Sequence, residues 1–370
     1  MRIAYVAIHL EKKFVQGGVG RKIQTHMQLW QKQGHQVHLF LLSPEHNDLP
    51  NCDNFQFSSK IKAPLFTLIS RELSRSLSLG NLINAVAKYQ PEVIYFRYGL
   101  YAYPLHRLFE IAPTIVEVNT DDVLEYRHRG IFFYFINYLT RFQIFNRCAG
   151  IVPISSEIAK LRSISKFNKP VCVISNGFNL DEIDPLPAPC NQHPRVSFVG
   201  NMEAVWNGVD KLVLFAQKCP QILVDIIGMD REAIKTKPIP ENIICHGLVS
   251  LAEVKHILSK SDVSISALAL HRKPSFENSL LKVRESLGYG IPTILAYHDS
   301  DVSDKEFDFI LQIPNTESNI ENHFQDMCDF IHKMVCRRAN RKKLEPLINQ
   351  KYKEDQRLDF MLKVKSSSED

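Results

Sequence analysis

Two glutamates stand eight positions apart in the segment ENSLLKVRESLGYGIP, residues 277–292. Glu277 precedes an apolar pattern typical of a helix, and Glu285 lies two turns into that pattern. Asn278 or Ser279 is a good N-cap for the predicted helix. A helix N-terminus offers unpaired backbone N–H groups and the positive end of a dipole, both of which favour an anion. The spacing therefore predicts two carboxylates that bracket an anion site.

The chemistry of such a site follows from what each group binds. Carboxylates accept hydrogen bonds from hydroxyls, the amides of residues 279–281 would hold an anion, and Lys282 would add positive charge. The ligand that fits has a hydroxyl-rich group, then phosphates, then a second hydroxyl-bearing ring, which describes a nucleotide sugar. Two solvated glutamates on a surface helix are the alternative, which composition alone favours.

A glycine-rich loop follows the first predicted strand. Gly17, Gly18 and Gly20 open a predicted helix that runs to Gln33, and glycines at a helix start let a ligand approach the backbone. The run is not a dinucleotide fingerprint, because Ile23 stands where the third small residue belongs, and it lacks the ending of a P-loop. From the glycines alone, a tight turn without a ligand is an equal alternative.

Short apolar strands alternate with longer helical patterns along the whole chain. This series predicts parallel sheets with helices on both faces. The predicted strands are residues 2–8, 36–42, 92–96, 113–118, 150–155, 171–175, 195–200, 222–228, 242–247, 262–268 and 292–297.

A Pro-rich stretch, residues 184–194, is predicted to be a linker because it cannot form a helix or an inner strand. It divides the 370-residue chain, which is too long for a single core, into two predicted domains. These are an N-terminal domain at 1–183 and a nucleotide-binding domain at 195–344, with a C-terminal helix at about 345–364 that could pack back on the first domain. The predicted fold class is α/β, with two doubly wound, Rossmann-like domains facing across a cleft.

Composition and charge restrict the partners and the compartment. The net charge of +5 suits a phosphorylated ligand or an anionic membrane surface and is weak evidence for nucleic acid. Eight cysteines without a Cys-x2-Cys pair predict reduced thiols rather than a zinc site. No signal-peptide pattern and no spanning apolar run is visible, so a cytoplasmic protein is expected. The richest apolar stretch, IFFYFINYLT at 131–140, predicts either a core helix or a face that dips into a membrane surface.

Several segments, in the same order, resemble retaining glycosyltransferases of the GT-B fold, particularly glycosyltransferase family 4. ENSLLKVRESLGYGIP resembles the E-x7-E signature of that family, and the likeness covers roughly residues 1–300. The other segments that carry it are GGVGRKIQTHMQLWQKQGHQVHLF (17–40), VPISSEI (152–158), VISNGFNLDEIDP (173–185), VSFVGNMEAVWNGVDKL (196–212) and ICHGLVSLAEVKHILSKSDVSISAL (244–268).

This resemblance implies a role for individual residues. Glu277 would be the catalytic residue, in contact with the hydroxyls of the donor sugar, and Glu285 would contact the ribose. The backbone implied for the diphosphate is at Gly18, Ser279, Leu280 and Leu281, and that for the base is at Gly247, Leu248 and Val249. No metal and no other cofactor is implied, because the helix end and cationic side chains take that role. TDDV at 120–123 is therefore interpreted as a polar loop.

Two positions depart from the family pattern. Asn201 and Asn207 stand where the family usually has an Arg and a Lys on the diphosphate. Because cation–phosphate contacts are strong, their loss calls for substitutes, and Arg272 or Lys282 is predicted to carry the diphosphate contact. Otherwise donor binding is weak or the chemistry has changed.

On the acceptor side, the residues predicted to shape the pocket are Asn119, Asp121 and His128, of which His128 could equally be a surface residue. The implied function is hexosyltransferase-type, retaining transfer of a sugar from a nucleoside-diphosphate sugar to a glycan or lipid-linked acceptor, in polysaccharide or glycolipid synthesis. Basic, apolar segments at 60–77 and 127–142 predict peripheral association with the inner face of an anionic membrane. The alternatives are a sugar-nucleotide epimerase or hydrolase of the same fold, or a non-catalytic sugar-nucleotide-binding protein.

Overall fold

The computed structural model describes residues 1–8, 11, 15, 17–58, 64–200, 204–273 and 275–367, with the backbone alone for 64–69. The chain forms two compact units. The first comprises Met1–Ile174 and Lys353–Asp370, and the second comprises Ser175–Tyr352. The Pro-rich stretch at 184–194 lies within the second unit.

The first unit is built on a six-stranded sheet. Its strands are β1 (Arg2–Ile8), β2 (Gln36–Ser43), β3 (Cys52–Gln56), β4 (Val93–Arg97), β5 (Thr114–Val118) and β6 (Gly150–Pro153). All neighbours run parallel in the order β3-β2-β1-β4-β5-β6. The inner strands are continuous apolar runs because helices cover both of their faces.

The helices of this unit follow the strands in sequence. They are α1 (Gly18–Lys32), α2 (Pro64–Tyr89), α3 (Asp122–Arg129), α4 (Ile131–Thr140), α5 (Phe142–Phe145), α6 (Ser156–Lys160) and α7 (Arg162–Ser165), with a 3₁₀ helix at Leu105–Glu110. On one face of the sheet Ile144 and Phe145 of α5 join the core formed with α2, and on the other face Trp30 of α1 packs on Tyr5 and Tyr95.

The second unit has the same sheet order in a new set of strands. They are β7 (Arg195–Val199), β8 (Leu223–Ile227), β9 (Ile243–Cys245), β10 (Val263–Ile265), β12 (Thr293–Leu295) and β14 (Ile310–Gln312), beside a two-stranded sheet of β11 (Glu277–Asn278) and β13 (His298–Asp299). The large sheet runs β14-β12-β10-β7-β8-β9, all parallel, so the first strand of each sheet lies inside and the order reverses there. That reversal is the position at which doubly wound sheets bind ligands.

Helices cover this second sheet and return the chain to the first unit. They are α8 (Val209–Lys218), α9 (Leu251–Ser259), α10 (Leu281–Gly288), α11 (Asn319–Met334), α12 (Arg341–Ile348) and α13 (Gln350–Ser366), with 3₁₀ helices at Leu180–Glu182, Val205–Asn207, Arg231–Ala233 and Leu270–Arg272. Leu358, Met361 and Val364 of α13 are buried in the first unit, on the face of its sheet that α1 covers.

Two local expectations are wrong, and the structure excludes one of the two alternatives for residues 131–140. Residues 171–175 do not join a sheet ladder beyond a single bridge at Val171. Cys219 and Cys328, which lie 109 residues apart, form a disulfide, whereas reduced thiols were expected. The apolar helix α4 is not a core helix, since Asn137 is the only residue of α4 that is buried. All three outcomes depend on contacts between residues that are far apart in sequence. The local sequence pattern carries no information about such contacts.

Candidate functional site

The first predicted glutamate lies at the start of a short strand rather than in a loop. Glu277 in β11 pairs with His298 in β13. The next helix, α10, begins at Leu281, so its N-cap is Leu280, which cannot cap with its side chain. The expected caps are engaged elsewhere, since the Asn278 side chain accepts the Ser279 N–H at 2.8 Å. The first turn of α10 therefore has no side-chain cap on its backbone donors.

A buried ionic network fixes this turn from below. The guanidinium of Arg284, fully buried, donates to both Asp299 carboxylate oxygens at 2.8 and 2.9 Å and to Asp301 at 2.6 Å. It also donates to Ser279 Oγ at 2.9 Å and to the carbonyl of Asn176 at 2.8 Å. Arg284 thus joins the backbone between Glu277 and α10 to the strand β13. Sequence reasoning missed this role, because Arg284 lies inside the motif without belonging to its signature.

Lys282 is the cation at the start of α10. Its Nζ donates to the carbonyl of Val199 at 2.8 Å and to Oδ1 of Asn207 at 3.0 Å, and it lies 4.7 Å from the ring centroid of Phe198. The side chain is partly buried, and desolvation lowers the pKa of Lys282 to about 7. Within the described residues, these hydrogen-bond partners are uncharged. The ammonium therefore lies at the end of β7 beside one of the two departing asparagines.

Arg272, the other predicted substitute, is already paired. Its guanidinium makes a bidentate contact with Asp210 at 2.7 and 2.8 Å and also binds Glu317. Hydrogen bonds from Arg272 and His271 lower the pKa of Glu317 to about 2. Two carboxylates thus compensate the charge of Arg272, whereas the hydrogen-bond partners of Lys282 in the described part of the chain are neutral. Asn201, the second departing residue, lies outside the described residues.

The predicted base contact follows β9. Gly247 has φ of +64°, which favours glycine, and its carbonyl accepts the N–H of Gly228 at 2.8 Å. Leu248 is 93% exposed, and Val249 is half-buried. Glu285 is half-buried one turn after Lys282 on α10.

In the first unit, Gly17 is the N-cap of α1 and Gly18 its first residue. No side-chain cap is present here either. Gly20 has a separate structural role, because a Cβ there would stand 1.6 Å from the carbonyl oxygen of Val15. The glycine loop therefore combines one glycine required by packing with two at an uncapped helix start.

Asn119 belongs to a buried ionic cluster at the end of β5. It donates to Glu117 at 3.0 Å and accepts from Lys22 Nζ at 2.8 Å. Glu117 is fully buried and also pairs with Lys22 at 2.8 Å and Arg97 at 3.2 Å. Burial would raise the pKa of Glu117, but the two cations hold it well below its usual value. Burial outweighs Glu117 for the lysine and lowers the pKa of Lys22 to about 8.

Asp121 and His128 lie at opposite ends of α3. Asp121 caps the helix by accepting the N–H groups of Val123 and Leu124, and burial raises the pKa of Asp121. His128 is exposed in the last turn, about 10 Å further along the axis. Asp121 follows Asn119 by two positions in the chain. His128 lies at the other end of α3, away from both. Within the described residues, no group of three or more His, Cys, Asp or Glu side chains could hold a metal ion.

Residues 16–182 match the family model described as Glycosyltransferase Family 4. The chain resembles glycosyltransferase family 4. This confirms the resemblance inferred from the motifs, and the fold matches that of known glycosyltransferases over nearly the full length. A search of curated protein sequences finds no significant match.

Three solved structures illustrate the likeness of this family-4-like chain. Sucrose-phosphate synthase from Thermosynechococcus elongatus is 16% identical, with a TM-score of 0.70 and coverage of 99% of this chain and 100% of that one. The lipopolysaccharide outer core galactosyltransferase WaaB is 14% identical, with a TM-score of 0.65 and coverage of 97% and 98%. Anabaena HepE in complex with UDP and glucose is 11% identical, with a TM-score of 0.66 and coverage of 98% and 100%. These structures show that the chain has the fold of known glycosyltransferases.

Proposed function

We propose that this protein is a retaining glycosyltransferase whose donor is a nucleoside-diphosphate sugar. The observation that carries the proposal is the Lys282 ammonium, whose hydrogen-bond partners among the described residues are uncharged and which adjoins the uncapped start of α10. A cation and a helix N-terminus side by side favour a polyanion. Structural neighbours that contain UDP, such as HepE, support a nucleotide as that anion.

The proposed roles follow the order of groups along the segment. The diphosphate binds the amides at the start of α10 and Lys282, the donor sugar hydroxyls bind Glu277, and the ribose binds Glu285. Charge develops on the diphosphate as the sugar–phosphate bond breaks, and preorganised donors stabilise it there. The acceptor hydroxyl enters on the face that the diphosphate leaves, so the anomeric configuration is retained. Because the lysine and the helix start supply positive potential, the proposed reaction needs no metal.

The proposed acceptor is a glycan or a lipid-linked molecule, used in polysaccharide or glycolipid synthesis in the cytoplasm. Asn119, Asp121 and Gly18 of the first unit are the proposed acceptor-side and loop contacts. Asn119 is held rigidly by Lys22 and Glu117, which suits a positioning role. His128 is left out of this pocket because it lies at the far end of α3.

The test starts with a panel of nucleotide sugars in a thermal-stabilisation screen, since a ligand that binds the folded state raises the midpoint. Turnover of the stabilising donor is then measured, and the anomeric configuration of the product is assigned by NMR. Glu277→Gln should lower turnover about 100-fold or more while UDP still binds. The exposed Glu241→Gln is the matched control and should behave as wild type.

Three results would contradict the proposal. Turnover of Glu277→Gln within about twofold of wild type would show that Glu277 is not the catalytic residue. Consumption of the donor without any acceptor would favour the epimerase or hydrolase alternative. Donor binding without turnover, under all acceptors tried, would favour a non-catalytic sugar-nucleotide-binding protein.

A further inference from the structure

Helix α4 presents its apolar residues to solvent. Its sequence is IFFYFINYLT, and five large side chains are 54–67% exposed. These exposed side chains are Ile131, Phe132, Phe135, Tyr138 and Leu139. Asn137, a polar residue, is buried instead, at 1% exposure. Surface helices of water-soluble domains normally orient the other way, so this helix is inverted with respect to water.

Buried polar contacts hold this orientation in place. Asn137 donates to Asp122 at 2.7 Å and accepts from the Tyr98 hydroxyl at 2.7 Å. Arg141, which follows α4 directly, makes a bidentate contact with Asp122 at 2.7 and 2.8 Å. Turning the apolar face inward would break these hydrogen bonds and leave the buried polar groups of Asp122 and Tyr98 without Asn137 as a partner. The outward apolar face is therefore a built feature of the fold.

The charge around this face is of one sign. From Tyr126 to Ser156 the chain has four arginines, one histidine and no acidic residue. Arg127 and Arg147 are exposed, while Arg129 pairs with Glu125 at 2.6 Å. Cations close in sequence to exposed Phe, Tyr and Leu side chains are typical of helices that lie in a membrane interface.

We propose that α4 docks on an anionic lipid bilayer, with its aromatic face in the headgroup–acyl boundary and Arg127 and Arg147 against anionic headgroups. The sequence predicted a peripheral membrane association, and the proposal assigns it to one helix, α4. The proposal does not depend on sugar transfer. A second copy of the chain fits less well, because a two-fold contact would set this face against itself and oppose like charges without an acidic complement. Within the described residues, no helix has the length and apolarity to cross the membrane, so the docking is interfacial.

A second exposed apolar pair lies on α2 of the same unit. On α2, Leu73 and Leu77 are 61% and 71% exposed, and their four-residue spacing places them on one side of that helix. These two side chains add exposed apolar area to the first unit.

Sedimentation with lipid vesicles tests the proposal on the full chain. We expect wild type to pellet with phosphatidylcholine–phosphatidylglycerol vesicles at low salt and much less with phosphatidylcholine alone. The variant Phe132→Ser/Phe135→Ser/Leu139→Ser should lose about tenfold or more in partitioning to both. Arg127→Gln/Arg147→Gln should lose about fivefold per arginine on the anionic vesicles alone. The control Tyr352→Ser/Leu362→Ser removes exposed apolar residues of α13 and should bind as wild type.

Hydrogen exchange of the wild-type protein gives a second readout that needs no variant. Vesicles should slow exchange in 131–142 and leave α13 unchanged. Wild type that stays in the supernatant with both vesicles, or a triple serine variant that pellets like wild type, overturns the proposal. Self-association of wild type that the triple variant abolishes, without vesicle binding, would assign the face to a second copy. Binding of UDP is measured separately, so a failed sugar-transfer assignment and a failed docking surface give different results.

Discussion

Lysines stand near the carboxyl ends of both parallel sheets, and they have opposite surroundings. Lys22 in the first unit reaches the fully buried Glu117 at 2.8 Å, with Arg97 on the other oxygen. Lys282 in the second unit reaches only a carbonyl and an amide oxygen among the described residues. Both lose hydration, yet in the part of the chain that the structure describes only Lys22 gains a carboxylate in exchange.

The difference indicates what each lysine contributes. A charge paired inside the fold contributes to the integrity of the fold, and removal of one partner leaves the other uncompensated. A desolvated cation with neutral partners gains little for the fold, and an anionic ligand is the partner that would compensate it. The same contrast separates Lys282 from Arg272, whose charge Asp210 and Glu317 already compensate.

The largest expected effect is on the stability of the first unit. Lys22→Met removes one of the two cations that pair with the buried Glu117 among the described residues, and we expect a loss of about 3 kcal/mol in the free energy of unfolding. Lys282→Met should change it by less than about 1 kcal/mol, because it removes a desolvated cation that has no carboxylate partner among the described residues. Urea unfolding measures both, with the exposed Lys305→Met as the control. Equal losses of unfolding free energy in Lys22→Met and Lys282→Met would show that the two lysines contribute alike to the stability of the fold.

The second expectation concerns affinity for UDP. Here Lys282→Met should have a large effect and Arg272→Met a small one. Lys282→Met should weaken binding of UDP by about 30-fold, or about 2 kcal/mol, because a charge-assisted phosphate contact is lost. Arg272→Met should change the affinity less than about threefold, since its guanidinium stays with Asp210 and Glu317 in the wild type. Isothermal titration calorimetry measures both. A large loss for Arg272→Met with none for Lys282→Met would assign the diphosphate contact to Arg272.

The third expectation is a pH dependence. The pKa of Lys282 is about 7 in the free protein, and the anion binds the protonated form. Affinity for UDP should therefore fall as the pH rises above about 7, by about 30-fold in total, and level off once Lys282 is neutral in both the free and the bound protein. Lys282→Arg keeps its charge and should remove this slope while it retains binding. A slope that persists in Lys282→Arg would come from another group.

Much of this arrangement could be predicted from the sequence. Apolar runs such as 2–8 and 36–42 predict the inner strands because both faces of those strands are covered. The sequence also predicts Lys282 as a candidate cation, since it lies one turn from Glu285. It cannot separate Lys282 from Arg272, because the residues that decide, Asp210 and Glu317, lie 62 and 45 positions from Arg272.

The apolar helix shows the same limit more strongly. The pattern of 131–140 is compatible with burial or exposure, and the choice depends on Asn137, whose partners Asp122 and Tyr98 come from other elements. The start of α10 is a smaller case. Asn278 and Ser279 have the composition of N-caps, but pairing with β13 and the contact with Arg284 use them differently.

The smallest expected effect tests the comparison directly by giving Lys282 the partner that Lys22 already has. In Asn207→Asp a carboxylate would replace the amide oxygen that Lys282 contacts at 3.0 Å. The new ion pair should raise the pKa of Lys282, because an opposite charge nearby favours the protonated form, and should compete with the diphosphate for the ammonium. We expect binding of UDP to weaken about fivefold at neutral pH and its dependence on pH above 7 to flatten.

Asn207→Ala removes the same contact without adding charge and is the matched control, with little change expected in the slope. Calorimetric titrations across the pH range separate the two variants. If Asn207→Asp binds UDP as tightly as wild type, Lys282 does not contact the phosphates, and the neutral partners that the described residues give this lysine need another explanation.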